Sequence, residues 1–176
     1  MVDGFRLHAL LRLVRFPLLP TAVADPLAGY LIALPMGAPL SPLRMAGLAA
    51  TSACLYMAGM VLNDVSDINR DRTLYPGRPL PSGEIRLETA MRGFWLLAVL
   101  GLATSLLMGR NVAGMAVVLA VLIAAYDLIA KCWRVSGALV MGACRSFNMM
   151  LGMSAAGASL ASPSEAAWAP PLILGA

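Results

Sequence analysis

Long apolar runs, nearly free of charge, dominate this chain. Residues 45–62 contain no Asp, Glu, Lys or Arg, and similar runs recur along 93–108 and 112–126. About 20 apolar residues are enough for a helix to cross the ~30 Å hydrocarbon core of a bilayer. Only 12% of the 176 residues are charged, against roughly 25% in soluble domains, so too little polar surface exists to cover a globule in water. The chain is 60% hydrophobic, with a mean hydropathy of +0.79. These values exclude an ordinary soluble enzyme, a disordered tail and a disulfide scaffold. Inside hydrocarbon a segment must satisfy its own backbone polar groups, which helices do. The expectation is an all-α, polytopic transmembrane helix bundle forming one domain over residues 1–176.

Five full spans are expected at 16–34, 43–62, 93–108, 112–129 and 137–156, with an incomplete sixth at 166–176. One connection is long and polar, 63–92, and it holds most of the acids. Basic residues follow a topological pattern. Arg6, Arg12, Arg15, Arg70, Arg72, Arg78, Arg86, Arg92, Lys131 and Arg134 fall on one side, and only Arg44 and Arg110 on the other. The positive-inside rule then puts the N-terminus and both long polar loops in the cytoplasm. The formal charge of +4 is no nucleic-acid signature, because the basic residues are split into short clusters. Cys54, Cys132 and Cys144 form no CxxC pair and read as inert thiols, and His8 as a bland flank residue.

The chemistry-bearing segment follows the second span. Asp64, Asp67 and Asp71 are spaced i, i+3, i+7, which on a helix places three carboxylates on one face. They lie where that helix leaves the hydrocarbon. Clustered carboxylates repel one another, so a cation should hold them together. Hard oxygen donors suit Mg²⁺, which takes few carboxylates and bridges to substrate phosphates. Arg70, Arg72 and Arg78 follow at once, and their forked donors suit diphosphate oxygens. Together these point to a lipid-linked diphosphate. The bland alternative is a solvated loop in which the acids pair with the nearby arginines as surface salt bridges.

Asn63-Asp64-x-x-Asp67-x-x-x-Asp71, followed by Arg78-Pro79-Leu80-Pro81-Ser82-Gly83, resembles the first aspartate-rich motif of the UbiA family of intramembrane prenyltransferases. The resemblance starts near Arg12, continues through Tyr126, Lys131 and Gly142, and runs to the end of the chain. The run 141–152 is similar to the EboC-like branch of that family. The resemblance implies nine transmembrane helices around a central cavity open laterally to lipid. It implies that Asp64, Asp67 and Asp71 coordinate Mg²⁺ on a prenyl diphosphate, with Asn63 assisting. Arg72, Arg78 and Lys131 would neutralise the departing diphosphate, and an acceptor in the cavity would capture the prenyl group.

Polar residues inside the spans need a partner or a polar cavity, since a charge at the bilayer centre costs at least roughly 2.5–3.5 kcal/mol. Asp25 in the first span, and Arg145 with Asn148 in the fifth, either line the cavity and help define the acceptor or form an ion pair that only ties two helices together. Asp127 and Lys131, four apart, are expected as a helix-surface pair. The family carries a second acidic motif, and no such cluster occurs here; beyond Asp127 the only acid is Glu165. The expectation is an N-terminal portion of a prenyltransferase, inactive by itself. Two other readings stay open. A membrane scaffold or transporter that kept a cation-binding loop explains the missing second motif but not the intact first. A CDP-alcohol phosphotransferase is disfavoured because no Asp-Gly-x-x-Ala-Arg is present.

Overall fold

The structure, a computed structural model, describes residues 2–157. The expected partial span at 166–176 and the loop with Glu165 lie outside the described residues, as do the side chains of Arg6, Cys132 and Arg134. Seven α-helices follow in order: α1 (Val2–Leu13), α2 (Leu19–Ala33), α3 (Pro42–Ser66), α4 (Ile68–Leu74), α5 (Leu87–Met108), α6 (Arg110–Leu128) and α7 (Arg134–Ala155). A 3-10 turn, Phe16–Leu18, leads into α2, and another, Ala130–Cys132, joins α6 to α7.

All five expected full spans are present as helices, but four qualify as spans by length and composition: Phe16–Ala33, Pro42–Ser66, Leu87–Met108 and Arg110–Leu128. The exception, α7, is 22 residues long and carries Arg145, Ser146, Asn148 and Ser154 among its apolar residues. It packs chiefly between α2 and α6 and buries Ser146 and Asn148, while Arg145 stays half exposed. By contrast α5 exposes Trp95, Leu96, Val99 and Leu107, as a lipid-facing surface would. Two helical elements were not anticipated. The N-terminal flank forms α1, which buries Ala9 and Leu13 while Leu7, Leu10 and Leu11 stay exposed. The polar connection contains α4 and the first turns of α5. Hydropathy marks where a helix enters lipid, not where its hydrogen bonds stop, so helices that protrude into water are read short.

The interior core joins four helices through Tyr30, Leu48, Leu55, Val112, Leu119 and Leu151. Helices α2 and α7 touch backbone to backbone. A Cβ on Gly152 would lie 1.8 Å from the Pro26 carbonyl oxygen, and one on Gly29 would lie 2.0 Å from that of Met149. Small residues permit such approach where no hydrophobic force drives helices together in lipid. Pro26 sits inside α2 and has no N–H, so the Ala22 carbonyl four residues earlier loses its helical donor. Two side chains replace it. The Ser52 hydroxyl donates to this oxygen at 2.9 Å and the Asn148 amide at 2.7 Å, linking α2 to both α3 and α7.

A second apolar cluster sits at the end with the acidic motif. It packs Ala9 and Leu13 of α1 against Val61 of α3, Leu80 and Ile85 of the connection, and Ala90 of α5. The connection turns at Gly83, whose φ of 78° only glycine adopts without strain. Arg12 anchors it from α1, donating to the Gly77 carbonyl at 2.5 Å and pairing with Glu84 at 3.5 Å. This packing fixes the loop that carries Arg78 over the end of α3.

Candidate active site

The helix that should carry all three acids is interrupted. Helix α3 ends at Ser66, and Asp67 sits between α3 and α4 with φ −93° and ψ 1°. Hydrogen bonds across the break keep the turn geometry, with Asp67 N–H donating to Asn63 O at 3.1 Å and Asp71 N–H to Asp67 O at 2.9 Å. All three carboxylates therefore still face the protein. Asp64, Asp67 and Asp71 are 5%, 8% and 0% exposed. The solvated-loop alternative is incompatible with that burial.

Buried carboxylates need cations, and the structure supplies them from four segments. Arg15 reaches Asp64 at 3.1 Å. Arg78 bridges Asp64, at 3.9 Å, to Asp71, with which it makes a short, direct bond. Its guanidinium also stacks 4.6 Å from the centroid of the Tyr75 ring. Arg70 pairs with Asp67 at 3.0 Å and lies 4.0 Å from Asp71. Lys131, from the turn after α6, pairs with Asp67 at 2.9 Å and donates to Asn63 Oδ1 at 3.2 Å and Ser66 Oγ at 2.6 Å. The result is a rim of alternating charge. Each carboxylate has a partner, so burial is offset rather than left as a bare charge.

Several expectations change here. The surface pair between Asp127 and Lys131 does not form; Lys131 turns to the acidic rim, and Asp127 is 2% exposed inside the bundle. Arg72 is exposed on α4 and takes no part in the rim. Arg70, one of the three arginines that follow the acids, belongs to it, and so does Arg15, which does not stand out as a site residue in the sequence. Arg15 is also the one non-glycine described residue with positive φ, at 49°. That conformation costs on the order of 1–3 kcal/mol and aims its side chain at Asp64. The Tyr56 hydroxyl, 3.5 Å from the Arg15 carbonyl, supports it.

The three aspartates do not form a closed metal cage, and no group of three His, Cys, Asp or Glu among the described residues does. Their chemistry still fits Mg²⁺. One or two carboxylates plus substrate phosphates are its usual protein-side complement. Asp71 Oδ1, moreover, is buried with no hydrogen-bond partner, an open hard-oxygen donor within the rim.

Below the rim lies a cavity of about 180 Å³. Ser52, Tyr56, Gly59 and Met60 of α3 form one wall, and Met60 is one helical turn from Asp64. Leu119, Ile123, Tyr126 and Asp127 come from α6, and Met141, Cys144, Arg145 and Asn148 from α7. Asp25 faces it from α2, paired with Arg145 at 2.9 Å. Asp25 and Arg145 thus form an interhelical ion pair and also line the cavity. Cys54 and Cys144 are free thiols.

Comparison with known proteins agrees with this architecture. The description of the UbiA prenyltransferase family matches residues 18–176. The chain belongs to the UbiA family. Among curated UbiA-type relatives, a digeranylgeranylglyceryl phosphate synthase of Sulfolobus acidocaldarius is 30% identical over 152 residues, covering 86% of this chain and 54% of the relative. That of Methanocaldococcus jannaschii is 36% identical over 101 residues, 57% of this chain and 35% of the relative. The chain thus spans about a third to a half of the curated relatives it matches. A solved structure of a digeranylgeranylglyceryl phosphate synthase superposes with a TM-score of 0.81 at 28% identity, over 97% of this chain and 57% of that one. A UbiA homologue from Archaeoglobus fulgidus, solved with GPP and Mg²⁺, superposes with a TM-score of 0.81 at 19% identity, over 95% of this chain and 59% of that one, and shows a common fold.

Proposed function

We propose that this chain provides the donor-binding part of a Mg²⁺-dependent prenyltransferase, binding a prenyl diphosphate at the rim and directing the prenyl group into the cavity toward an acceptor. The observation that carries the reading is the buried rim itself: three carboxylates held by Arg15, Arg70, Arg78 and Lys131, one helical turn above a cavity between the helices. A scaffold gains nothing from burying so many charges, whereas a diphosphate site needs both signs.

In this reading Asp64, Asp67 and Asp71 hold the metal, with Asn63 assisting. Bound Mg²⁺ neutralises diphosphate charge and eases departure of the leaving group. Arg78 and Lys131 pass from carboxylate to phosphate oxygens as these charges arrive, and exposed Arg72 meets the diphosphate from the water side. Negative charge grows on the leaving group as the allylic C–O bond breaks, so cations already fixed there stabilise the transition state more than the ground state. The apolar walls exclude water that would otherwise quench an allylic cation. Asp25, Arg145 and Asn148 face the acceptor. The digeranylgeranylglyceryl phosphate synthases among the relatives support isoprenoid transfer, and the GPP and Mg²⁺ in the Archaeoglobus homologue support this donor chemistry. The basic bias supports a cytoplasmic N-terminus and rim.

Thermal protection of the purified chain by a non-hydrolysable prenyl diphosphate analogue tests the reading. Protection is expected only with Mg²⁺, and Asp67→Ala should abolish it. No protection of the wild-type chain, or protection indifferent to Mg²⁺, would overturn it and favour the scaffold.

A further inference from the structure

Large apolar side chains stay exposed at the end of the bundle that carries the acids, beyond the spans themselves. Helix α1, at 12 residues, is too short to cross a bilayer. Its Leu7, Leu10 and Leu11 are 58%, 45% and 37% exposed. Spaced i, i+3, i+4, they form one row along the helix. That row faces away from Ala9 and Leu13, which pack against Val61 and Ala90. A second patch lies on the turn between α6 and α7, where Leu128, Ile129, Trp133 and Val135 are exposed, Trp133 at 72%.

Both patches sit at the level of the acidic rim. Arg15 follows α1 directly and reaches Asp64 at 3.1 Å. Lys131 lies between Ile129 and Trp133 and reaches Asp67 at 2.9 Å. Each patch also runs without a break into a surface that faces lipid. Exposed Phe16 and Leu18 carry the α1 row into the span Phe16–Ala33. Val135 and Leu139, four apart and both exposed, carry the other patch along α7. The apolar surface therefore does not stop where the spans end. It continues around a charged rim, and an exposed tryptophan on it fits the interface between hydrocarbon and water.

The charges beside this surface are mostly of one sign. Arg72, Arg86 and Arg92 are exposed at the same end, and Glu88 is the one exposed acid among the described side chains. Arg86 and Leu10 line one surface groove, so a cation stands next to the leucine row. Apolar side chains that dip below a headgroup layer, with arginines beside them, suit a surface of anionic phospholipid.

We infer that α1 and the α6–α7 turn form an interfacial collar that binds the headgroup layer of anionic phospholipid, with Arg86 pairing with lipid phosphate beside α1. The collar seats the rim in a hydrated headgroup layer and covers the apolar surface around it. The inference concerns the surface outside the rim and holds whether or not the rim takes a prenyl diphosphate.

The test reads tryptophan quenching of the full chain in lipid nanodiscs. Trp95→Phe with Trp168→Phe leaves Trp133 as the single tryptophan. Adding Trp133→Phe and Leu7→Trp moves the reporter to α1. Both reporter positions face outward, so neither replacement has to be repacked. Each reporter should be quenched most by phospholipid brominated close to the headgroups, less by phospholipid brominated near the chain ends, and least by aqueous acrylamide. At equal mole fraction, brominated phosphatidylglycerol should be about fivefold enriched over brominated phosphatidylcholine at the α1 reporter, the weight of one arginine near an anionic surface. Arg86→Gln should lower that enrichment. Quenching by acrylamide above that by either brominated lipid would put the patches in water. Quenching by neither would mean that protein covers them, a second copy included. Either result overturns the inference, as does an α1 reporter indifferent to headgroup charge or an enrichment unchanged by Arg86→Gln.

Discussion

The bundle buries charge in two places and manages it in opposite ways. At the rim, Asp64, Asp67 and Asp71 share four cations, and single cations bridge two acids. In the cavity one turn below, Asp25 pairs with Arg145 at 2.9 Å, and Asn148 Oδ1 is buried with no hydrogen-bond partner. The rim sits at a helix end, with Arg70 still 59% exposed at its side chain, so water and ions can reach it. The cavity lies between apolar helices, where each charge weighs more. A networked rim is suited to exchanging partners when a polyanion arrives, because no carboxylate depends on one bond. A sparse cavity is suited to recognition, because each open acceptor waits for one donor.

The largest effect that separates the two follows from removing the bridge. Arg78→Ala takes the shared cation from Asp64 and Asp71 at once. Asp71, 0% exposed, then keeps only a guanidinium 4.0 Å away. Breaking a buried pair from one side costs about 3–5 kcal/mol; because Arg78 is 31% exposed, the lower end applies. Denaturant or thermal unfolding in detergent should show a loss of about 3 kcal/mol, together with loss of protection by the prenyl diphosphate analogue. Arg72→Ala, which touches nothing in the rim, should leave stability within ~0.5 kcal/mol. Equal destabilisation by the two variants would show that the rim is not a coupled network.

The cavity pair should couple as a unit of two where the rim couples several groups at once. Asp25→Leu leaves Arg145 facing the cavity without its partner, and about 2 kcal/mol should be lost, less than at a fully buried site because the Arg145 side chain is 46% exposed. The double change Asp25→Leu with Arg145→Leu should recover most of that loss, since an apolar replacement of a buried ion pair is often neutral. If the double variant were no better than the single one, the Arg145 pair would not be what holds Asp25, and the contrast with the rim would collapse.

These two regions were also unequally legible in the sequence. The acid spacing and the trailing arginines announce the rim because they are local: Asp64, Asp67 and Asp71 fall within two helical turns. Arg15 escapes that logic. It lies far from the acids in sequence and reaches Asp64 only because its backbone takes a left-handed conformation between α1 and α2. Its position two residues before Pro17, which favours a helix start, is the one local hint. Asp127 misleads in the opposite sense. Its spacing to Lys131 fits a surface pair, but the 3-10 turn after α6 swings Lys131 to the rim. The helices themselves were readable from hydropathy, α7 included, save that α1 and α4 are too short and polar to register. Which face of α7 meets α2 depends on the backbone contact at Gly29 and Gly152, and no local pattern encodes that.

The smallest effect tests the link between the two helices that frame the cavity. Pro26 frees the Ala22 carbonyl, and two donors converge on it. Removing one of two donors leaves the oxygen still satisfied, so Ser52→Ala should cost only about 0.6 kcal/mol, the typical worth of a side-chain hydrogen bond between membrane helices. Pro26→Ala combined with Ser52→Ala restores an N–H beneath the same carbonyl. It should therefore be at least as stable as Ser52→Ala alone, read as the order of their unfolding midpoints in one detergent. A double variant clearly less stable than Ser52→Ala would mean that Pro26 shapes α2 by its bend rather than by the carbonyl it exposes. The cavity would then owe its width to that bend, and the orientation of Asn148 to packing instead of to the Ala22 oxygen.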